Sequence, residues 1–279
     1  MSERYRSRFQ QLQERNQKAF MPFTLLGWPD KNRSLALIKQ MIDEGASALE
    51  LGFAFSDPVA DGPVIQAAAF ETLETGFTVD DGFALIKEVR KLDADIPVGV
   101  LVYYNLVMKK GAENFFALAK DSGIDGVLIA DLPVDFSAEV VSIAERNGIS
   151  LIFLISPVSP ESRIRSIARK ASGFIYLLSR LGVTGINAGD SQNDAKLAGI
   201  VDVIRQVTDT PICAGFGISS GETARRMIAA GVDGVITGSK VIDLAKSKDS
   251  SKNLAEFYQE MLKACSSNEQ KMVHSKAKG

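Results

Sequence analysis

Amphipathic stretches of helical period alternate along this chain with short apolar runs, and a glycine commonly stands between the two. Glu44-Gly45-Ala46-Ser47-Ala48-Leu49-Glu50-Leu51 has the same shape as Ser122-Gly123-Ile124-Asp125-Gly126-Val127-Leu128-Ile129. Asn147-Gly148-Ile149-Ser150-Leu151-Ile152 and Ala230-Gly231-Val232-Asp233-Gly234-Val235 repeat it. A glycine just past a helix end supplies the left-handed residue that stops the helix. The apolar run after it suits a strand buried on both faces, as in a parallel sheet. Eight such strands are predicted: Ala19–Leu26, Ala48–Gly52, Ile96–Val102, Gly126–Ala130, Ser150–Ile155, Phe174–Leu178, Pro211–Ala214 and Gly234–Gly238. Helices are predicted between them, among them Ser34–Asp43, Asp80–Lys91, Ala112–Lys120, Ser137–Arg146, Pro160–Arg169 and Thr223–Ala229. Repeated strand–helix alternation with no Pro/Ser-rich linker predicts an α/β protein, a closed (β/α)8 TIM barrel. It is expected to form a single domain over residues 1–265. An extra helix, Glu3 to Gln17, precedes the barrel; Asn253 to Ala264 is the last helix. Short extra helices are expected at the phosphate-binding end, and residues 266–279 read as a polar, disordered tail.

Composition narrows the chemistry. Apolar residues make up 46% of the 279, which is enough for a full core. The net charge is −2, and the basic residues are scattered rather than gathered into a stripe for nucleic acid. Met1 to Phe20 holds no apolar leader, and the longest apolar runs, near Val98–Met108 and Ile149–Ile155, are too short to span a bilayer. A cytoplasmic protein without membrane or nucleic-acid partners is expected. Cys213 and Cys265 match no metal or redox spacing and read as buried, inert thiols. The one histidine, His274, lies in the polar tail, so no metal site and no histidine catalysis is expected. What remains is carboxylates, tyrosine, hydroxyls, backbone N–H groups and basic side chains.

Barrel active sites lie at the C-terminal ends of the strands, so polar residues there carry the most information. Glu50 interrupts the otherwise apolar Ala48-Leu49-Glu50-Leu51-Gly52, and alternation puts Ala48, Glu50 and Gly52 on one face. Burial would raise its pKa into the range of a general acid or base. A structural ion pair or a rim position explains it equally well. Asp57 and Asp61 lie in the loop Phe55-Ser56-Asp57-Pro58-Val59-Ala60-Asp61-Gly62-Pro63. Asp61 could accept from a substrate N–H, although turn or capping work is the usual role of Asp beside Pro and Gly. Asp131 ends the fourth strand and suits loop pinning. Glycine-rich segments follow the last three strands: Gly182-Val183-Thr184-Gly185, Gly215-Phe216-Gly217-Ile218-Ser219-Ser220 and Gly238-Ser239. Ser219 and Ser239 stand where helices would begin, and N–H groups there favour phosphate, though every βα turn uses such residues. Gly215-x-Gly217-x-x-x-Gly221 does not match the spacing of a dinucleotide fingerprint. Tyr176 is a polar tip within an apolar strand and fits plain core packing. Phe23, Leu101, Leu128, Leu154 and Phe216 would line a barrel mouth suited to a flat aromatic ligand.

Several of these segments, taken in order, resemble the tryptophan synthase alpha chain family. They are Leu49-Glu50-Leu51-Gly52, Phe55-Ser56-Asp57-Pro58-x-Ala60-Asp61-Gly62-Pro63, Ile65-Gln66, Tyr176-Leu177-Leu178-Ser179-Arg180-x-Gly182-Val183-Thr184-Gly185, Gly215-Phe216-Gly217-Ile218-Ser219 and Gly238-Ser239. The likeness runs from about Tyr5 to about Ala264. It implies cleavage of indole-3-glycerol phosphate to indole and glyceraldehyde 3-phosphate, with Glu50 moving the proton and Asp61 holding the indole N–H. It implies substrate contacts at Phe23, Leu101, Leu128, Tyr176, Thr184 and Phe216, and phosphate on the N–H groups of Gly185, Gly217, Gly238 and Ser239. Loops Phe53–Pro63 and Ser179–Gly189 would close over the ligand, with Thr184 meeting Asp61. The family's partner is a beta chain carrying pyridoxal phosphate in an α2β2 assembly, met through Phe55, Asp57 and Asn105; this chain itself would need no cofactor. Two positions depart from the family's usual pattern: Ala54 stands where Pro is common, and Trp28 where Asp is common. Trp28 suits either an interface or a packed loop anchor. A stand-alone indole-releasing lyase and a mainly regulatory phosphate-binding subunit are the alternatives.

Overall fold

The computed structural model describes residues 1–179 and 191–266. The chain runs α1 (Glu3–Glu14), β1 (Ala19–Leu25), α2 (Lys31–Asp43), β2 (Leu49–Gly52), α3 (Pro63–Glu74), α4 (Val79–Leu92) and β3 (Val98–Val102). It continues through α5 (Tyr104–Lys110), α6 (Ala112–Ser122), β4 (Gly126–Ile129), α7 (Ala138–Arg146), β5 (Ser150–Ile155), α8 (Glu161–Lys170) and β6 (Ile175–Leu178). The last part is α9 (Ser191–Arg205), β7 (Ile212–Gly215), α10 (Gly221–Ala229), β8 (Gly234–Thr237), α11 (Ser239–Ala245) and α12 (Ser250–Cys265). All neighbouring strands pair in parallel and β8 pairs with β1, closing the barrel in sequence order. The expected (β/α)8 architecture is therefore present, and the predicted strands agree to within two residues at each end. The N-terminal helix stops at Glu14 rather than Gln17. The short α11 stands between β8 and α12, where an extra helix was expected.

The repeated Gly-x-Asp-Gly segments have a shared physical task. Asp125, just before β4, accepts from the Val98 N–H at the start of β3 and from Arg90 of α4 at 2.6 Å. Asp233, just before β8, accepts from the Ile212 N–H at the start of β7 and pairs with Arg205 and Lys18. Each carboxylate thus ties one strand to the next at the N-terminal end of the barrel. A buried carboxylate is tolerable there because both charge and hydrogen bonds are matched.

The same end is closed from outside by α1. Its N-cap Ser2 donates its backbone N–H to Ser150 Oγ, and Arg4 reaches Asp125 at 3.1 Å. Tyr5, 1% exposed, then enters the barrel. A methyl on Gly99 would lie 2.5 Å from its hydroxyl and one on Gly126 2.9 Å from its ring, so these strands need glycine to admit it. The floor is filled, and the open cavity lies at the opposite, C-terminal end.

Trp28 is a packed loop anchor. It is 2% exposed, and its indole N–H donates to Glu71 of α3 at 2.6 Å. Lys246, which ends α11, lies 5.5 Å from the ring centroid and pairs with the same Glu71 at 2.9 Å. Both cysteines are buried and free, and burial pushes the Cys265 thiol up to about 12. Among the described residues no helix is long and apolar enough to cross a membrane, and no cluster of His, Cys, Asp and Glu could hold a metal.

Candidate active site

Strand β2 places Glu50 at mid-barrel, in register with Phe23 of β1 and Gly99 of β3. The side chain is 4% exposed, and no described residue gives it a hydrogen bond or an ion pair. The structural ion-pair explanation therefore fails. Burial, and then the nearby charge of Asp61, push its carboxyl from the ordinary 4.5 to about 8. At neutral pH Glu50 is thus mostly protonated, a state in which it can give a proton and then take one back.

Asp61 precedes α3, whose N-cap is Gly62 and whose first residue is Pro63. Its side chain does no capping. It accepts instead from the Tyr103 hydroxyl at 2.8 Å, and that hydroxyl accepts in turn from the Ala60 N–H at 3.0 Å. Burial raises Asp61 to about 6, while the Tyr103 hydrogen bond holds it down. Two neighbouring carboxyls are thus separated in acidity, one neutral and one ionised at pH 7, the usual sign of divided acid and base roles. Asp57, four residues earlier, is exposed and accepts from its neighbour Ser56 at 2.6 Å.

Glu50 and Asp61 line a cavity of about 310 Å³ at the C-terminal mouth. Phe23, Leu101, Tyr176 and Phe216 form apolar walls, as expected, with Ile65 and Ile236 added. Leu128 and Leu154 do not line it: Leu128 is 1% exposed within β4, and the cavity opens over the other side of the barrel. The Tyr176 ring meets Phe216 edge-on at 6.3 Å. Gly215 makes room for it, since a methyl there would lie 2.1 Å from the Tyr176 hydroxyl.

Another part of the cavity lining is formed by backbone. Phe216 and Gly217 both have left-handed φ, +69° and +75°, which turns the chain sharply after β7. Ser179 Oγ donates to the Phe216 carbonyl, and Thr237 Oγ1 donates to that of Ile218 at 2.8 Å, so the turn is pinned from both neighbouring strands. One helix start differs by one position from the sequence expectation and the other agrees with it. Ser220, not Ser219, caps α10; Gly238 is the N-cap of α11 and Ser239 its first residue. The Ser219 N–H is taken by Thr223 Oγ1. The N–H groups of Ser239 and Lys240, which open α11, have no partner within the helix, while that of Val241 donates to the Gly238 carbonyl at 2.8 Å. Gly217, Gly238, Ser239 and Lys240 line this part. Thr184 and Gly185, with the rest of the Gly182–Gly185 segment and His274, lie outside the described residues.

Phe55 is half-buried and stacks on Tyr103 at 5.0 Å, while Asn105 is exposed on α5. Asp131 accepts from the Tyr104 N–H at 2.7 Å and so pins the start of that helix. Sequence reasoning missed Tyr103 and Lys240. Tyr103 sits at the end of β3, the place where the same logic had found Glu50, but it was absorbed into an apolar run. Lys240 directly follows Gly238-Ser239, and nothing in the local pattern sets it apart.

The family model described as tryptophan synthase alpha chain matches residues 9–273. The tryptophan synthase alpha chain of Francisella tularensis subsp. tularensis is 40% identical over 252 residues, covering 90% of this chain and 93% of the relative. A solved structure from Aquifex aeolicus VF5 superposes with a TM-score of 0.86 at 31% identity, over 95% of this chain and 100% of the other. A chain of the tryptophan synthase complex from Pyrococcus furiosus gives 0.78 at 31% identity, over 88% and 99%.

Proposed function

This chain belongs to the tryptophan synthase alpha chain family, the lyase that cleaves indole-3-glycerol phosphate in the tryptophan pathway, and from that premise we propose how its own residues carry the reaction. The protonated Glu50 gives its proton to C3 of the indole ring. Asp61, ionised, accepts from the indole N–H and stabilises the positive charge that develops on the ring. The Glu50 carboxylate then takes the proton of the hydroxyl on the carbon attached to C3. That C–O becomes a carbonyl, the C3–carbon bond breaks, and its electron pair returns to the ring. Indole and glyceraldehyde 3-phosphate leave, and Glu50 is again protonated. Phe23, Leu101, Tyr176 and Phe216 are assigned to the indole and glycerol walls. The phosphate is assigned to the N–H groups of Gly217, Gly238 and Ser239, with Gly185 and Thr184 carried from the family likeness. Two buried carboxyls with separated acidities on one cavity are the observation that carries this reading.

A beta chain carrying pyridoxal phosphate is proposed as partner. Its docking face is supported by four exposed apolar side chains on four successive strand–helix connections at the mouth end. They are Val59 after β2 (77% exposed), Met108 in α5 after β3 (52%), Phe136 after β4 (77%) and Val158 after β5 (62%). Exposed apolar side chains gathered on one rim are the kind of surface that protein–protein contacts use. Phe55, Asp57 and Asn105 belong to the same arc. Residues 1–265 are taken as one catalytic barrel, and a cytoplasmic location goes with the pathway. Indole release from indole-3-glycerol phosphate, with and without an added beta chain, tests the whole. Slow release that rises strongly with the partner is expected. Full-rate release alone would indicate a stand-alone lyase, and none in either case would overturn the reading.

A further inference from the structure

We propose that Lys240 is a charged phosphate clamp that fixes which way the substrate lies in the cavity, an inference that rests on the lyase reading above. Among the described residues, the cavity lining holds two carboxyls, Glu50 and Asp61, and one basic side chain, Lys240. A phosphate monoester carries close to two negative charges at neutral pH. Backbone N–H groups offer such an anion hydrogen bonds but no full positive charge. Among the described residues lining this cavity, only Lys240 supplies one.

Three further observations agree. Lys240 is half-buried beside Gly238 and Ser239, yet its ammonium makes no ion pair or hydrogen bond with any described residue. The other half-buried lysines among the described residues have a partner, Lys18 with Asp233 and Lys110 with Asp80. Second, Lys240 is the second residue of α11, whose first turn holds no acidic residue. A cation at a helix N-terminus opposes the helix dipole, so the fold alone gives no reason for it. An anion bound at that terminus reverses the sign of the interaction. Third, Lys240 lines the same cavity as Glu50 and Asp61 and pairs with neither, so both signs of charge are available to a ligand there. The ionised Asp61 repels a phosphate and the lysine attracts it, so the indole is left against Asp61 and the neutral Glu50. A reversed substrate would put its dianion beside the ionised Asp61.

The test uses the full chain and two probes: indole-3-glycerol phosphate turnover and competitive inhibition by glycerol 3-phosphate. In Lys240→Gln the KM and the inhibition constant are expected to rise about tenfold, equivalent to ~1.4 kcal/mol. The kcat stays within about twofold, because the charge acts alike on bound substrate and transition state. Lys240→Arg restores most of the affinity, and raising the salt concentration weakens wild-type binding more than that of the glutamine variant. Unchanged KM and inhibition constant in Lys240→Gln would overturn the inference. If Gly217→Val weakens both while Lys240→Gln weakens neither, the phosphate site stands and the clamp falls. If wild type neither cleaves the substrate nor binds glycerol 3-phosphate, the lyase reading falls and takes the clamp with it.

Discussion

Replacing Glu50 by glutamine should destroy the activity and, above neutral pH, strengthen the fold. In the barrel the Glu50 carboxyl sits at about 8 against an ordinary 4.5. The folded state therefore holds a proton that the unfolded chain releases. Its favourable contribution is complete below pH 4.5 and is lost as the pH rises through 8. At ~1.36 kcal/mol per pH unit between the two values, ionising Glu50 inside the barrel costs up to roughly 5 kcal/mol. Roughly 4 kcal/mol of that falls between pH 5 and pH 9, and water entering the cavity mouth reduces it, so about 2–4 kcal/mol is expected. Glutamine is neutral throughout, and any constant packing difference cancels between the two pH values. The assay is urea unfolding of wild type and Glu50→Gln at pH 5 and pH 9 at equal ionic strength, with indole release measured on the same samples. The variant should gain about 2–4 kcal/mol on wild type between pH 5 and 9 and release no indole at either. An identical stability difference at the two pH values would show that Glu50 does not carry a raised pKa. Substantial residual turnover would remove it from proton transfer.

Three more outcomes are expected. Asp61→Asn should lower kcat by 10²- to 10³-fold, the usual magnitude for a lost charge-stabilising group, and kinetics equal to wild type would take Asp61 out of the mechanism. Tyr103→Phe removes the donor that holds the Asp61 carboxylate down; about tenfold should go from kcat/KM, with the acidic limb of its pH profile moving up, and an unmoved limb would show that the hydroxyl does not govern Asp61. In wild type, kcat/KM should rise as Asp61 ionises near pH 6 and fall as Glu50 loses its proton near pH 8, whereas a flat profile from pH 5 to 9 would refute both assignments.

Much of the site was readable because barrels concentrate chemistry at known places. Glu50 stood out as a charge in an apolar strand, and the glycines after β7 and β8 marked close backbone approach. The role of Asp61 was less legible. Beside Pro and Gly it looked like a turn residue, and only its contact with Tyr103, 42 positions away, shows that its side chain does no turn or capping work. Ser219 was displaced by one residue because Ser220 and Thr223 form the actual capping box. Leu128 and Leu154 were expected at the mouth with the other apolar residues named there, but local sequence does not say which part of the mouth the cavity occupies.

The sequence by itself determined the strands, the helices, their order and hence the closed barrel. Those follow from period and glycine punctuation, which act over a few neighbouring residues. Tertiary structure alone decided that Tyr5 seals the floor, that Trp28 is an anchor on Glu71 rather than an exposed contact, and that Tyr103 holds Asp61. It also decided that Lys240 lines the same cavity as the two carboxyls. Each of these depends on side chains from different strand–helix units meeting in space. The register and closure of the barrel set such meetings, and no local pattern along the chain encodes them.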